Sequence, residues 1–269
     1  MSLNIQQGSL DAYTPAEMAH RVETVGVAKS KMSIRQMVGL GLMAGAFISF
    51  GAMNFIATMA QGMPRLVASL MFCLGLVLVI VGGAELFTGN NLIAMAWAQG
   101  KVGARAVLRN WGWVYIANLA GCLAAVALAY LSGILHSVDL GFGVQALKIA
   151  VTKTNLSFSE AFFKGILCNS LVCLAVWLCF AARTVVDRIF CIVFPIMAFV
   201  NMGFEHSIAN MFLIPLAMLL QTFGNTVATT DNITWFGFIS NLVPVILGNI
   251  VGGSVLVGFV YHVIYRRGE

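Results

Sequence analysis

Six long apolar stretches, at residues 37–60, 66–99, 110–135, 158–182, 189–220 and 238–265, constrain this chain more than any other feature. A bilayer core of about 30 Å needs about twenty apolar residues per crossing helix, and each stretch supplies them. Only 9% of the 269 residues are charged and 60% are apolar, whereas a soluble domain carries about a quarter of its residues as charges. The runs are unbroken rather than alternating over segments of about ten, which selects helices over a membrane β-barrel. The expected fold class is an all-α integral membrane protein with six transmembrane helices. Scarce charge also argues against a nucleic-acid partner, so the formal +5 has to be read by side of the membrane.

An even number of spans puts Arg21, Lys29, Lys31, Arg35, Lys101, Arg105, Arg109, Arg183, Arg188, Arg266 and Arg267 on one side. Arg65, Lys148, Lys153 and Lys164 fall on the other. The positive-inside rule then makes both termini cytosolic, and the expected location is a bacterial inner membrane, as a multi-pass protein. The first residues, MSLNIQQGSLDAYTPAEMAHRV, have no apolar core, which predicts no cleavable signal peptide. Within them Thr14-Pro15-Ala16-Glu17 has a capping-box pattern, with Met18, Val22 and Val25 following at helical spacing. Residues 1–36 are thus expected as a cytosolic segment with an amphipathic helix, either a surface anchor or a plug over a pore. Residues 37–265 form the transmembrane domain and 266–269 a cytosolic tail. The six cysteines all lie inside apolar runs, where thiols serve as small hydrophobes; no CxxC, HExxH or Walker-type loop is present, and no cofactor is expected.

The second and fifth stretches are too long for one helix. Each is interrupted by a polar, small-residue segment, GGAELFTGNN at 82–91 and GFEHSIAN at 203–210. These segments match each other at an offset of 120, through Gly83/Gly203, Glu85/Glu205 and Asn90/Asn210. Asn118-Leu-Ala-Gly121 matches Asn249-Ile-Val-Gly252 at 131, and Gly41-Leu42 matches Gly165-Ile166 at 124. Spans 1–3 therefore read as a copy of spans 4–6. With three spans per copy, the second inserts upside down, giving an inverted 3+3 repeat whose broken helices 2 and 5 meet near the midplane and line a path. A conduit is the default function of such a fold.

Few ionisable groups remain at membrane depth: Glu85, Lys164, and the pair Glu205-His206. Such residues cost about 2.5 kcal/mol or more and are functional candidates. His206 sits in a break rather than on a regular apolar face, which favours a functional role over that of a core histidine. Glu85 and Glu205 occupy equivalent positions, which favours a structural task for both, such as accepting free backbone N–H groups. Thr88 and Asn169 offer a hydroxyl and an amide and serve equally well as helix-packing contacts. Gly41-x-x-x-Gly45 and Gly248-x-x-x-Gly252 permit close helix approach. Phe72, Leu76, Leu86, Phe87 and Phe199 surround these groups; most such residues are core or lipid-facing, yet around a pore histidine they would form dewetted constrictions that stop hydrated ions.

GAELFTGN, FFKGILCNSLVCLAVW and GFEHSIANM, together with AGAFIS and GNIVGG, resemble the formate/nitrite transporter family across all six spans. NMGFEHSIANMFLIP and the long leader resemble its formate branch more than its nitrite branch. The resemblance implies an aquaporin-like protomer in a homopentamer, with one substrate path per protomer. It implies that His206 stands in the pore with Thr88 opposite and Asn169 supporting it, between slits made by Phe72, Leu76, Leu86, Phe87 and Phe199. It also implies that Lys153, in the AVTK stretch, lies in the outer vestibule. The substrates implied are small anions: formate, nitrite, hydrosulfide, and also acetate or lactate. Lys164 and Glu85 depart from some formate channels, which leaves open which of Lys153 and Lys164 gathers anions.

A bare anion is penalised in an apolar slit and its neutral conjugate acid is not. Lys153 and Lys164 are therefore expected to draw anions in by screened Coulomb attraction, with His206 sharing or donating a proton at the midplane. Anion channel and proton symport both remain open. An intramembrane enzyme built on Glu205-His206 lacks a nucleophile or metal set, because Ser207 is too close in sequence to complete a triad.

Overall fold

The computed structural model describes residues 12–136, 141–223 and 233–266, and every regular element among them is helical. The first eleven residues of the expected N-terminal segment and residues 267–269 of the expected tail lie outside the described residues. Helix α1 (Pro15–Ser30) precedes α2 (Ile34–Ala60), and a kinked pair, α3 (Arg65–Phe72) and α4 (Leu74–Gly82), leads to the first break. Two short helices follow it, α5 (Phe87–Asn90) and α6 (Ile93–Ala98), and then the long α7 (Ala104–Leu131). The second half begins with α8 (Phe142–Thr154) and α9 (Phe158–Cys179), and α10 (Val185–Asn201) and α11 (Ser207–Phe223) flank the second break. Helix α12 (Trp235–Ile250) continues through a π-helical stretch, Val251–Phe259, into α13 (Val260–Tyr265).

By length and composition five of these helical segments can cross a membrane: Ile34–Ala60, Arg65–Gly82, Ala104–Leu131, Phe158–Cys179 and Trp235–Tyr265. The stretch expected as span five is two helices of 17 residues each, and neither reaches the usual twenty alone.

Local chemistry sets the element ends. Capping boxes start α1 at Thr14 with Glu17, α2 at Ser33 with Gln36, α9 at Ser157 with Glu160 and α10 at Thr184 with Asp187. The Thr14 backbone N–H and hydroxyl hold the Glu17 carboxyl below the usual carboxylate range. Both breaks open with a glycine in the left-handed region, Gly83 at φ 78° and Gly203 at φ 70°. The residue after each bonds back to the last turn, Ala84 N–H to the Val79 carbonyl and Phe204 N–H to the Phe199 carbonyl, so each helix stops in the same Schellman-type cap.

Helix α2 packs chiefly on α7, and α9 on α12. A Cβ at Gly45 would overlap the Asn118 carbonyl oxygen, and one at Gly248 would overlap that of Phe162, so these crossings admit only glycine. Helix α1 does not lie free on a surface. It buries Met18, Ala19 and Val22 against Leu92, Met95, Trp177 and Val257, and its fully buried Glu23 pairs with Lys101 at 2.7 Å and Arg266 at 3.0 Å.

Candidate functional site

The two breaks are held open by matching asparagines. Asn118 on α7 accepts the Phe87 N–H at 2.9 Å and donates to the carbonyls of Gly41 (2.8 Å) and Glu85 (2.9 Å). Asn249 on α12 accepts the Ser207 N–H at 3.0 Å and donates to Gly165 (2.9 Å) and Glu205 (3.0 Å). A helix end buried in lipid must satisfy its free backbone groups internally, and these two amides do so at both breaks.

The expectation that Glu85 and Glu205 accept backbone N–H groups is therefore corrected, since the asparagines already fill that place. The carboxylates bind side chains instead. Glu85 takes the Lys29 ammonium at 2.6 Å and the Asn90 amide at 2.7 Å. Glu205 takes Lys153 at 2.8 Å, Asn210 at 2.7 Å and Asn241 at 3.3 Å. Lys29 on α1 and Lys153 on α8 thus play the same part, 124 residues apart. The correspondence between the two halves thus extends back into α1, and Lys29 is a candidate site residue that sequence reasoning missed. The matches Lys29/Lys153 and Ser33/Ser157, both at the offset already seen for Gly41/Gly165, were the available signal.

Two cavities approach each other between these anchors. One, about 220 Å³, is lined by Val22, Lys29, Leu76, Glu85 and Leu86 among others. The second, about 380 Å³, is bordered by Arg65, Lys148, Lys153, Lys164, Phe199, Glu205 and His206. Between them lies a space of only about 10 Å³, enclosed by Ile48, Phe72, Leu76, Leu86, Val172, Ile196, Phe199 and His206. It shares Leu76 and Leu86 with the first cavity, and Phe199 and His206 with the second. That volume holds about one water, so the slit is apolar and nearly closed, and His206 is its one polar lining side chain.

The His206 ring is fixed at both nitrogens. Nε2 lies 2.9 Å from Thr88 Oγ1, across from the first break, and Nδ1 lies 3.1 Å from the Ala209 backbone nitrogen. A backbone N–H can only donate, so Nδ1 accepts and the neutral ring carries its proton on Nε2, aimed at Thr88. Phe199 stacks near the ring, with centroids 5.9 Å apart, and meets Phe72 edge-on at 5.9 Å.

The remaining expected residues fall in varied places. Thr88 is fully buried and holds the ring without lining the slit. Asn169 makes no hydrogen bond to His206; it donates to the Thr88 carbonyl at 3.3 Å, to Asn91 Oδ1 at 2.7 Å and to the Asn249 carbonyl at 2.7 Å, so it ties the two breaks together. Phe87, expected at a constriction, points away and packs edge-on against Trp111 and Tyr115. Its direction follows from the Asn118 bond to its N–H, which turns the first residue of α5 toward α7. Lys153 lines the larger cavity as an ion-paired group rather than a free cation. Ile48, Val172 and Ile196 complete the slit and carried no signal, since they look like any other apolar residue of their helices.

Comparison with known proteins decides the class. A family model described as formate/nitrite transporter matches residues 16–263. The chain belongs to the formate/nitrite transporter family. It is 40% identical over 273 aligned residues to the formate channel FocA of Escherichia coli strain K12, with 96% of each chain covered. An uncharacterized transporter, YrhG, of Bacillus subtilis strain 168 is 37% identical, with 94% of each covered. A solved structure described as a pentameric formate channel with formate bound superimposes with a TM-score of 0.80 at 38% identity, covering 86% of this chain and 97% of that one. Membership of this family makes the chain a membrane transport protein, not an enzyme.

Proposed function

We propose that the chain forms a passage for small monovalent weak-acid anions, formate foremost, from one cavity to the other past His206. The observation that carries this reading is the meeting of two cavities lined by charged side chains at a water-sized apolar slit with a single polar side chain. Hydrated ions and bare anions meet a desolvation barrier of several kcal/mol in such a slit, whereas the neutral conjugate acid of a small weak-acid anion does not. The likeness to a formate-bound channel supports formate, and its pentameric description supports a homopentamer with one path per protomer. Nitrite, hydrosulfide, acetate and lactate are further candidates. The Lys and Arg distribution supports an orientation with both termini, α1 and its cavity cytosolic, and the cavity beside α8 facing outward.

His206 in its described position offers a hydrogen bond through Nε2–H, and an entering anion replaces Thr88 as its acceptor. Donation of a proton needs the imidazolium, and Nδ1 cannot carry a hydrogen while it faces the Ala209 N–H. Proton coupling at His206 therefore requires the ring to leave Ala209 first. The test is a proteoliposome flux assay with formate against nitrite, hydrosulfide, acetate and chloride at two pH values. Formate flux well above chloride flux supports the reading, and equal flux of the two would sink it. Nitrite or hydrosulfide outrunning formate would reassign the substrate within the family.

A further inference from the structure

The two cavities share a lysine–glutamate pair but differ in net charge. The cavity beside α1 holds Lys29 and Glu85, which pair with each other at 2.6 Å. The cavity beside α8 holds Arg65, Lys148, Lys153 and Lys164 against one carboxylate, Glu205. That carboxylate is already bound to Lys153, whose side chain is only 13% exposed. Arg65 donates to the Val200 carbonyl, which leaves its charge unneutralised.

Lys164, half-buried near the start of α9, makes no ion pair or side-chain hydrogen bond among the described residues. The acidic group nearest it on its own helix, the exposed Glu160, is engaged by the Ser157 N–H at 2.9 Å and hydroxyl at 2.7 Å and feels Lys164 only through a weaker Coulomb attraction, without an ion-pair contact. The backbone shows what stands at the same place in the other half. Glu205 N–H bonds the Lys164 carbonyl, and Glu85 N–H bonds the Leu40 carbonyl. Where the first half has an apolar leucine, the second has a cation with no ion-pair contact among the described residues.

We infer that Lys164, assisted by Lys148, is the anion-collecting site of the α8-side cavity, and that the conduit therefore saturates at a lower anion concentration from that side than from the other. The ligand class is a small monovalent carboxylate or similar oxyanion, and the inference rests on the anion-passage reading above. Lys153 is then a positioning residue that holds Glu205. In a passive conduit detailed balance gives both directions the same permeability at low concentration, whatever charge stands at either mouth. A cation at one mouth deepens the well there, so sidedness shows in the half-saturation concentration and not in the initial slope.

The test measures initial formate uptake against concentration in right-side-out and inside-out membrane vesicles containing the full chain, at low and high inert salt. In the parent protein half-saturation should be lower from the α8 side. Lys164→Gln should raise it about threefold from that side only, the factor expected from a unit charge about 7 Å from the anion in water, and Lys164→Arg should restore it. Salt near 1 M should erase the difference, because the screening length falls to about 3 Å. If Lys164→Gln folds poorly, the salt series on the parent protein still decides: half-saturation from the α8 side must rise with salt more than from the α1 side. Equal half-saturation in both orientations, or an unchanged value in Lys164→Gln, would overturn the inference while leaving the passage intact. No formate uptake by the parent protein in either orientation would overturn the passage itself.

Discussion

Removing the Lys153 ammonium strands a carboxylate. Glu205 is 3% exposed, its Oε1 is held by Lys153 at 2.8 Å, and its Oε2 is shared between Asn210 and Asn241. Lys153→Met keeps most of the stem and leaves Oε1 without a partner. Breaking a buried ion pair from one side costs about 3–5 kcal/mol, and water in the adjoining cavity lowers that to about 2–4 kcal/mol here. At about 2–4 °C per kcal/mol for a chain of this size, the melting temperature should fall by roughly 5–15 °C. Lys153→Met combined with Glu205→Gln removes both charges, and this double variant should be more stable than Lys153→Met alone. The assay is thermal unfolding in mild detergent, followed by tryptophan fluorescence, beside formate uptake over a salt series. A buried pair is poorly screened, so the uptake deficit of Lys153→Met should persist at high salt. A variant that melts with the parent, and whose deficit vanishes in salt, would show that Lys153 acts as a free vestibule cation and that the pairing argument is wrong.

Other consequences follow from the same contacts. Asn249→Leu strips partners from the Ser207 N–H and from the Gly165 and Glu205 carbonyls, and should lower stability by about 2–4 kcal/mol in the same melting assay; an unchanged melt would mean that the amide does not hold the break. Gly248→Ala places a Cβ against the Phe162 backbone, which cannot rotate away, and should loosen α9 from α12 by about 1–3 kcal/mol, read as faster proteolysis or a lower melt. His206→Asn keeps a polar group but no titratable proton; it should leave the oligomer intact by native mass spectrometry and flatten the pH profile of formate flux, and an unchanged profile would remove His206 from any proton step.

Much of this architecture could be read from the amino acids alone, because insertion in lipid leaves a strong signature. The breaks were visible since Gly83–Asn90 and Gly203–Asn210 interrupt runs that otherwise have no polar residue to spare. Asn118 and Asn249 were visible as a matched pair, and the bonds they make to both breaks explain why an amide stands at each place. The direction of Phe87 was not legible, because the register of a broken helix depends on which backbone group its partner captures. Nor were Ile48, Val172 and Ile196, since one apolar residue on a span resembles the next until the neighbouring helix is in place. The ion pair of Lys153 is instructive in another way. Lys153 was expected in the outer vestibule, from its side of the membrane and from the resemblance of its AVTK stretch, and it does line that cavity, but neither signal can tell a solvated cation from one already paired with a buried carboxylate.

The most direct test of the passage is to fill the slit. Leu86 borders both the slit and the α1-side cavity, and a tryptophan there would occupy a space that holds about one water. Formate uptake by Leu86→Trp should be measured in proteoliposomes, on protein whose oligomeric state and melting temperature match those of the parent within a few degrees. The expected result is uptake no faster than the leak of protein-free liposomes. Uptake near the parental rate in such a folded variant would mean that the solute does not cross between Leu76, Leu86, Phe199 and His206.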